Sequence, residues 1–311
     1  MRSARPTVVL LTESRYERPA PAAARDPYVA NILLEDEIVA DALARVGFAV
    51  ERVDWRRFDP SGGYVAAVFR TTWDYFDRWP EFAAFLDRTL GALPIFNPPA
   101  LVRWNVDKHY LLELARAGVS VPRTIVVERG EAADLSAVMA ELGADEVVVK
   151  PCIGGAARQT RRISRGPATF SEHAAWFRDM VAAEAMMVQP FVPEVLEAGE
   201  VSVLIFDGMV THAVRKRAKP GDFRVQDDHG GTVGPCEVDA DRASFASRAL
   251  AAAEAACGER ALYARVDFVE TPRGPQLMEL ELVEPELFVR TAPQSADVLA
   301  RGLARRLAEG R

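Results

Sequence analysis

The chain has 311 residues, enough for two or three packed lobes, and its 49% hydrophobic and 27% charged residues are those of an ordinary globular protein. A formal net charge of -7 argues against a generic nucleic-acid binder while leaving room for a local basic pocket. No apolar run approaches the ~20 residues that span a bilayer, the N-terminus carries no signal segment, and Cys152, Cys236 and Cys257 are too scattered for a disulfide framework or a zinc motif, so a reducing cytoplasm is expected.

Residues 7–12 form an apolar strand candidate, and residues 15–27, rich in Pro, Ala and Arg, read as a loop. Leu34, Ile38, Ala42 and Val46 recur at helical spacing, which predicts a helix over 31–46 stopped by Gly47. Strands are predicted over 48–53 and 64–69, and a helix over 80–90 that begins at Pro80. This alternation argues for a small α/β lobe with a parallel sheet, ending in an exit linker at Phe96-Asn97-Pro98-Pro99. One helix is predicted over 105–117, ended by Gly118. Strands over 124–128 and 146–150 flank a helix near 135–142. After a loop, a helix over 171–183 leads to a strand over 185–189. The chain is then strand-rich to Val214, and a long loop precedes a helix at 241–256, an acidic hairpin and a terminal helix near 296–308. His109, His173, His212 and His229 follow no ligand spacing and read as structural or surface residues.

Several segments carry chemistry. Asp267, Glu279 and Glu281 lie inside two short apolar runs, and the Pro- and Gly-punctuated stretch 270–275 between them predicts a hairpin that brings the three together. Carboxylates among apolar neighbours cost several kcal/mol each unless compensated. Mg2+ takes oxygen ligands of this kind, often with substrate phosphates; the other reading is a surface hairpin whose acids face water. The strand ending at Lys150 runs into a loop of small residues, Gly154, Gly155 and Ala156. Its backbone N–H groups can approach phosphate oxygens and the lysine adds charge, although an ordinary strand-turn has the same look. Gln189, Pro190, Phe191 and Val192 read as a stiffened turn, either a seat for a flat base or a plain connection, with Glu200 just beyond as a partner for sugar hydroxyls. Residues 214–231 are densely basic and include Lys216, Arg217 and Arg224, followed by Gly230 and Gly231. They form either a solvated loop or one that folds over a nucleotide. Arg70, Thr71, Thr72, Trp73 and Asp74 follow the C-terminal end of a predicted strand, where open α/β sheets bind ligands, or else form a capped turn.

The order of these segments is more specific than any one of them. Together they resemble the ATP-grasp superfamily over about residues 104–290, and within it the branch of RimK-like ligases, glutathione synthetases and D-alanine–D-alanine ligases. Gly221-Asp222-Phe223-Arg224 with Gly230-Gly231 is similar to the RimK-like type in detail. The resemblance implies an α+β fold of three lobes: an α/β N-terminal substrate lobe (1–103), a central lobe (104–188) and a C-terminal lobe with the metal site (189–311), the nucleotide being held between the last two. It implies that Lys108 and Lys150 hold the α- and β-phosphates of ATP and that Gly154, Gly155 and Ala156 cover them. Gln189, Pro190, Phe191 and Val192 would line the adenine hinge and Glu200 would bind ribose. Lys216 or Arg217, with Arg224, would face the γ-phosphate, Arg265 would stabilise an oxyanion, and Asp267, Glu279 and Glu281 would hold two Mg2+ ions. Two departures stand out: Glu281 occupies a position usually held by asparagine, and Ser202 one where RimK-like ligases carry arginine.

Three further segments, 70–75, 97–105 and 279–286, are similar to the branch that includes cycloserine synthetase. The family implies an ATP-dependent carboxylate–amine or cyclising ligase, acting on a small amino acid derivative through an acyl phosphate, as in antibiotic biosynthesis. The carboxylate donor would meet Arg70, Thr71, Thr72, Trp73 and Asp74, with Arg290 as a further carboxylate partner. The competing enzyme reading is a RimK-like ligase that adds amino acids to a protein or peptide terminus, and a reading outside catalysis is a nucleotide-binding regulator. No nucleic acid or membrane partner is expected. The sequence leaves the oligomeric state open, a homodimer included.

Overall fold

A computed structural model describes residues 5–20, 23–166, 169–225 and 230–310. His229 and the neighbouring residues 226–228 of the basic loop lie outside the described residues. The described strands form three sheets. The first joins β1 (Thr7–Thr12), β2 (Ala49–Asp54), β3 (Ala66–Thr71) and β4 (Ile95–Phe96) in the order β2-β1-β3-β4, all parallel, as the alternation predicts. β1 and β3 are buried almost throughout, as central parallel strands covered on both faces must be.

The second sheet takes β5 (Ile125–Val127), β6 (Glu146–Pro151), β7 (Arg161–Ser164) and β8 (Met186–Pro190) in the order β5-β8-β6-β7. The third takes β9 (Glu200–Phe206), β10 (Met209–Arg217), β11 (Thr232–Cys236), β12 (Tyr263–Thr271) and β13 (Gly274–Glu281) in the order β11-β10-β9-β12-β13. Both are antiparallel.

Three local expectations are corrected. The second helix is Pro27–Arg45 and starts inside the supposed loop, because Asp26 accepts from the Tyr28 N–H at 2.8 Å and Pro27 pre-sets the first turn. The single helix expected over 105–117 is two, Pro99–Asn105 and Tyr110–Arg116. Between them the Lys108 N–H leaves any helical ladder and donates to the Cys152 carbonyl at 2.9 Å, while Asp107 accepts from the His109 N–H. β7 and β11 appear where loops were expected. Both are edge strands, one opening on the adjacent pair Arg161-Arg162 and the other holding Gly234 and Pro235, which hides their alternation.

Hydrophobic packing divides the molecule unevenly. Val8, Leu10 and Val68 of the first sheet share one core with Leu204, Phe206, Val214 and Phe288, so the first and third sheets are welded together. One face of the second sheet has a core of its own, built from Val147, Val149, Val188 and the helices Leu135–Leu142 and Phe170–Ala183, while Met187 and Val126 of its other face join Val201, Val203 and Val266 in the core of the third sheet. Edge strand β13 does not leave its outer backbone groups bare. The Leu280 N–H donates to Tyr110 Oη and the Leu282 N–H to Asn105 Oδ1, while Asn105 Nδ2 donates to the Leu280 carbonyl and Asn97 Nδ2 to the Leu282 carbonyl. Among the described residues no helix is long and apolar enough to cross a membrane.

Candidate active site

The hairpin read from the sequence forms as β12 and β13, with Asp267 opposite Glu279 and Arg265 opposite Glu281. Strand alternation then puts all four side chains on one face. One oxygen from each of Asp267, Glu279 and Glu281 lies within a 4.8 Å cluster. Asp267 is 1% exposed and accepts from Lys216 Nζ at 3.0 Å and from Arg265 at 2.9 Å. Burial alone would raise its carboxyl, but Arg265 and Lys216 hold it at about 2. Glu281 goes the other way: burial, reinforced by Glu279 and Asp267, pushes it up to about 8 although Arg265 bonds it. Three acids at one point with two resident cations are a donor set for a hard divalent ion.

The cleft beside this cluster lies between the second and third sheets and gathers most of the residues singled out above. Lys108, Lys150, Gly154, Gly155, Ala156, Gln189, Pro190, Phe191, Val192, Glu200, Lys216, Arg224, Arg265, Glu279 and Glu281 all line it. Lys108 Nζ pairs with Glu279 at 2.9 Å and donates to the Gly154 carbonyl, which ties the small-residue loop to the carboxylates. Lys150 stands nearby; burial lowers its ammonium, and Lys108 beside it adds to the fall while Glu279 opposes it. Lys216, 4% exposed, bridges Glu200 at 2.5 Å and Asp267 at 3.0 Å. The turn after β8 holds Phe191 between the Arg162 guanidinium, 3.8 Å above its ring, and Phe223. Arg224 is clasped by Asp222 at 2.7 Å.

Gly199 explains why the chain can bring Glu200 against Lys216. Its φ of +81° is a left-handed conformation, and a Cβ there would run into the Lys216 carbonyl. β9 and β10 approach closely enough to pair Glu200 with Lys216 only because nothing stands in the way.

Several expected positions are not in the cleft. Arg217 points the opposite way from Lys216 along β10, is exposed, and donates to the Ala198 carbonyl at 3.2 Å. Of the two basic candidates, only Lys216 reaches the site. Arg70, 2% exposed, is a buried strut bonded to Asp36 at 3.1 Å and to the Pro285 carbonyl at 3.0 Å. Thr71 is engaged with Thr12, Thr72 is fully buried, and Asp74 accepts from Trp55 Nε1 at 2.7 Å. Of that segment Trp73 alone lines the cleft, its Nε1 donating to the Glu284 carbonyl at 2.9 Å. Arg290 sits behind the cleft, bonded to Glu35 and Glu286. Sequence reasoning assigned no role to Tyr28, Arg158, Glu284, Glu286 or Phe288, all of which line it. Tyr28 falls between the loop read over 15–27 and the helix predicted over 31–46, where no periodicity marks it.

Residues 107–287 match the RimK-like ATP-grasp domain, and residues 8–97 match the N-terminal domain of D-cycloserine synthetase DcsG. The cycloserine biosynthesis protein DcsG of Streptomyces lavendulae is 36% identical over 273 residues, which is 82% of this chain and 85% of that protein. The crystal structure of D-cycloserine synthetase DcsG superposes with a TM-score of 0.81 at 31% identity, covering 97% of this chain and 99% of that one. A D-alanine–D-alanine ligase from Bacillus anthracis shares the fold, with a TM-score of 0.67 at 16% identity over 98% of this chain and 100% of that one. Residue order, cleft geometry and these likenesses agree: the chain belongs to the RimK-like ATP-grasp family and is an ATP-dependent ligase that forms C–N bonds, converting ATP to ADP and phosphate.

Proposed function

We propose that the substrate is a small amino acid derivative whose carboxylate is activated by ATP and then captured by a nitrogen nucleophile, within one molecule or between two, in a cycloserine-type biosynthesis. The observation that carries this reading is the likeness of residues 8–97 to the N-terminal domain of D-cycloserine synthetase, because those residues supply Tyr28 and Trp73 to the cleft. The lobes divide as 1–103, 104–188 and 189–311, with ATP between the second and third. The adenine lies against Gln189, Pro190, Phe191 and Val192, and Glu200 faces the ribose. Lys108 and Lys150 hold the α- and β-phosphates under Gly154, Gly155 and Ala156, and Lys216 and Arg224 face the γ-phosphate.

The cluster of Asp267, Glu279 and Glu281 suits Mg2+, since three oxygen donors converge at one point, the donor type a hard divalent ion takes. These residues would hold two such ions, which neutralise phosphate charge when bound. The chain's own residues do the positioning. The substrate carboxylate oxygen bonds to the γ-phosphorus as the bond to the ADP oxygen breaks, giving an acyl phosphate. The nitrogen then bonds to the acyl carbon and loses a proton, and phosphate departs. Arg265 stabilises the tetrahedral oxyanion, a contribution of roughly 3 kcal/mol for a single donor.

ADP formation from Mg-ATP against a panel of D- and L-amino acids and O-substituted serines tests the reading. Turnover that depends on one such acid, and is lost in Glu279→Gln, is expected. Tight ATP binding with no turnover on any small acid would sink it.

A further inference from the structure

A second cluster of metal-ligating side chains lies outside the cleft. Asp107, His109 and Cys152 each present one ligand atom, and these atoms lie within 4.8 Å of one another. Their positions in the sequence conceal this, because Cys152 comes from the end of β6 while Asp107 and His109 flank Lys108 in the break between two helices. The hydrogen bond from the Lys108 N–H to the Cys152 carbonyl draws the two segments together.

Each member is oriented as a ligand would be. Cys152 is a free cysteine, 1% exposed, and no hydrogen bond to its sulfur is formed among the described residues. It is a buried polar group aimed at the other two. His109 Nε2 lies 2.9 Å from Glu128 Oε1, so that nitrogen is held from outside. Nδ1 is left facing Asp107 at 2.5 Å. A carboxylate on the far ring nitrogen is the usual device that fixes the tautomer of a metal-bound histidine. Asp107, His109 and Glu128 are partly exposed, so an ion can reach the sulfur from solvent.

The geometry points to a site for a borderline-soft divalent ion, Zn2+, bound by Asp107 carboxylate, His109 Nδ1 and Cys152 thiolate, with the fourth position open to water and Glu128 as the outer partner of His109. The donor set separates it from the all-oxygen cluster of Asp267, Glu279 and Glu281, since thiolate and imidazole select Zn2+ over Mg2+. Binding displaces the Cys152 thiol proton and the proton shared between His109 Nδ1 and Asp107. The ion fastens the 107–109 turn to the end of β6, and so fixes the backbone from which Lys108 reaches Glu279.

Co2+ is the probe, because a thiolate–Co2+ bond gives a near-ultraviolet charge-transfer band that an all-oxygen site cannot produce. The parent protein carries Cys236→Ser and Cys257→Ser, which leaves Cys152 as the one thiol. The expected result is a band that saturates at one equivalent, persists in Glu279→Gln, disappears in Cys152→Ser and is bleached stoichiometrically by Zn2+. His109→Gln and Asp107→Asn, both at partly exposed positions and both checked for native circular dichroism, are expected to weaken Co2+ binding at least about tenfold, and Glu128→Gln by about tenfold. Absence of the band in the parent at excess Co2+ would overturn the proposal. So would a band of undiminished affinity in His109→Gln and Asp107→Asn. Neither outcome decides the ligase reading, which is tested separately by ADP formation with Mg2+.

Discussion

Asn105→Ala probes how the carboxylate-bearing edge of the third sheet is held. Asn105 Nδ2 donates to the Leu280 carbonyl at 2.8 Å, and Oδ1 accepts from the Leu282 N–H at 2.7 Å. These residues bracket Glu281, and Glu279 precedes them. The alanine variant leaves one buried acceptor and one buried donor without partners. Each such group costs about 1–3 kcal/mol, so the loss is about 2–6 kcal/mol. At about 2 °C per kcal/mol for a chain of this size, the midpoint of thermal unfolding falls by roughly 4–12 °C. Circular dichroism and tryptophan fluorescence should report the same shift. ADP formation falls as well, because Glu279 and Glu281 lose the brace behind their strand. Asn105→Asp is a sharper control: it still accepts from Leu282 but sets a carboxylate against the Leu280 carbonyl, so its loss should be no smaller. A shift below about 2 °C in both variants would refute the idea that these hydrogen bonds hold the strand.

Lys216→Met should abolish measurable ADP formation, whereas Arg217→Met should stay within about twofold of wild type in a coupled ADP assay, because the two side chains leave β10 on opposite faces. Gly199→Ala should cost at least about 2 kcal/mol in urea unfolding, since its φ of +81° is left-handed and its Cβ meets the Lys216 carbonyl. Burial, with Glu286 adding to it against Arg70, raises the Glu35 carboxyl from 4.5 to about 7. The folded protein therefore keeps a proton that the unfolded chain releases. The stability Glu35 contributes is complete below about pH 4.5 and is lost as pH rises through 7, by at most about 3 kcal/mol. Thermal melts between pH 5 and pH 8 should be visibly flatter in Glu35→Gln; an unchanged slope would remove Glu35 from the account.

The residues readable from sequence are those whose chemistry conflicts with their surroundings. A lysine closing an apolar strand, as at Lys150, or acids inside apolar runs, as at Asp267 and Glu279, ask for a ligand, and the fold brings all three to the same site. What stayed hidden depends on long-range partners. The break between Asn105 and Tyr110 is set by a hydrogen bond to the distant Cys152 as well as by the local bond from the His109 N–H to Asp107. Arg70 looks like a carboxylate binder at a strand end, but Asp36 and the Pro285 carbonyl claim it from distant parts of the chain. Tyr28 and Glu286 enter the cleft through tertiary placement alone. Asn97 and Asn105, striking in sequence only as members of a similar segment, turn out to satisfy the outer backbone of β13.

The separate core on one face of the second sheet gives the molecule a seam. On one side stand Lys150, the Gly154–Gly155 loop and the turn at Phe191; on the other, Arg265 and the three acids ride on a frame shared with the first sheet. Among the described residues only Met187, Cys152 and their neighbours tie this sheet to the frame through apolar contact, so its outer layer can loosen at less cost than the frame itself. On the placement of ATP proposed above, nucleotide exchange would follow the breathing of the small sheet. Slow hydrogen exchange in β1, β3, β9 and β12, with faster exchange throughout β5 to β8, is the footprint such a division leaves.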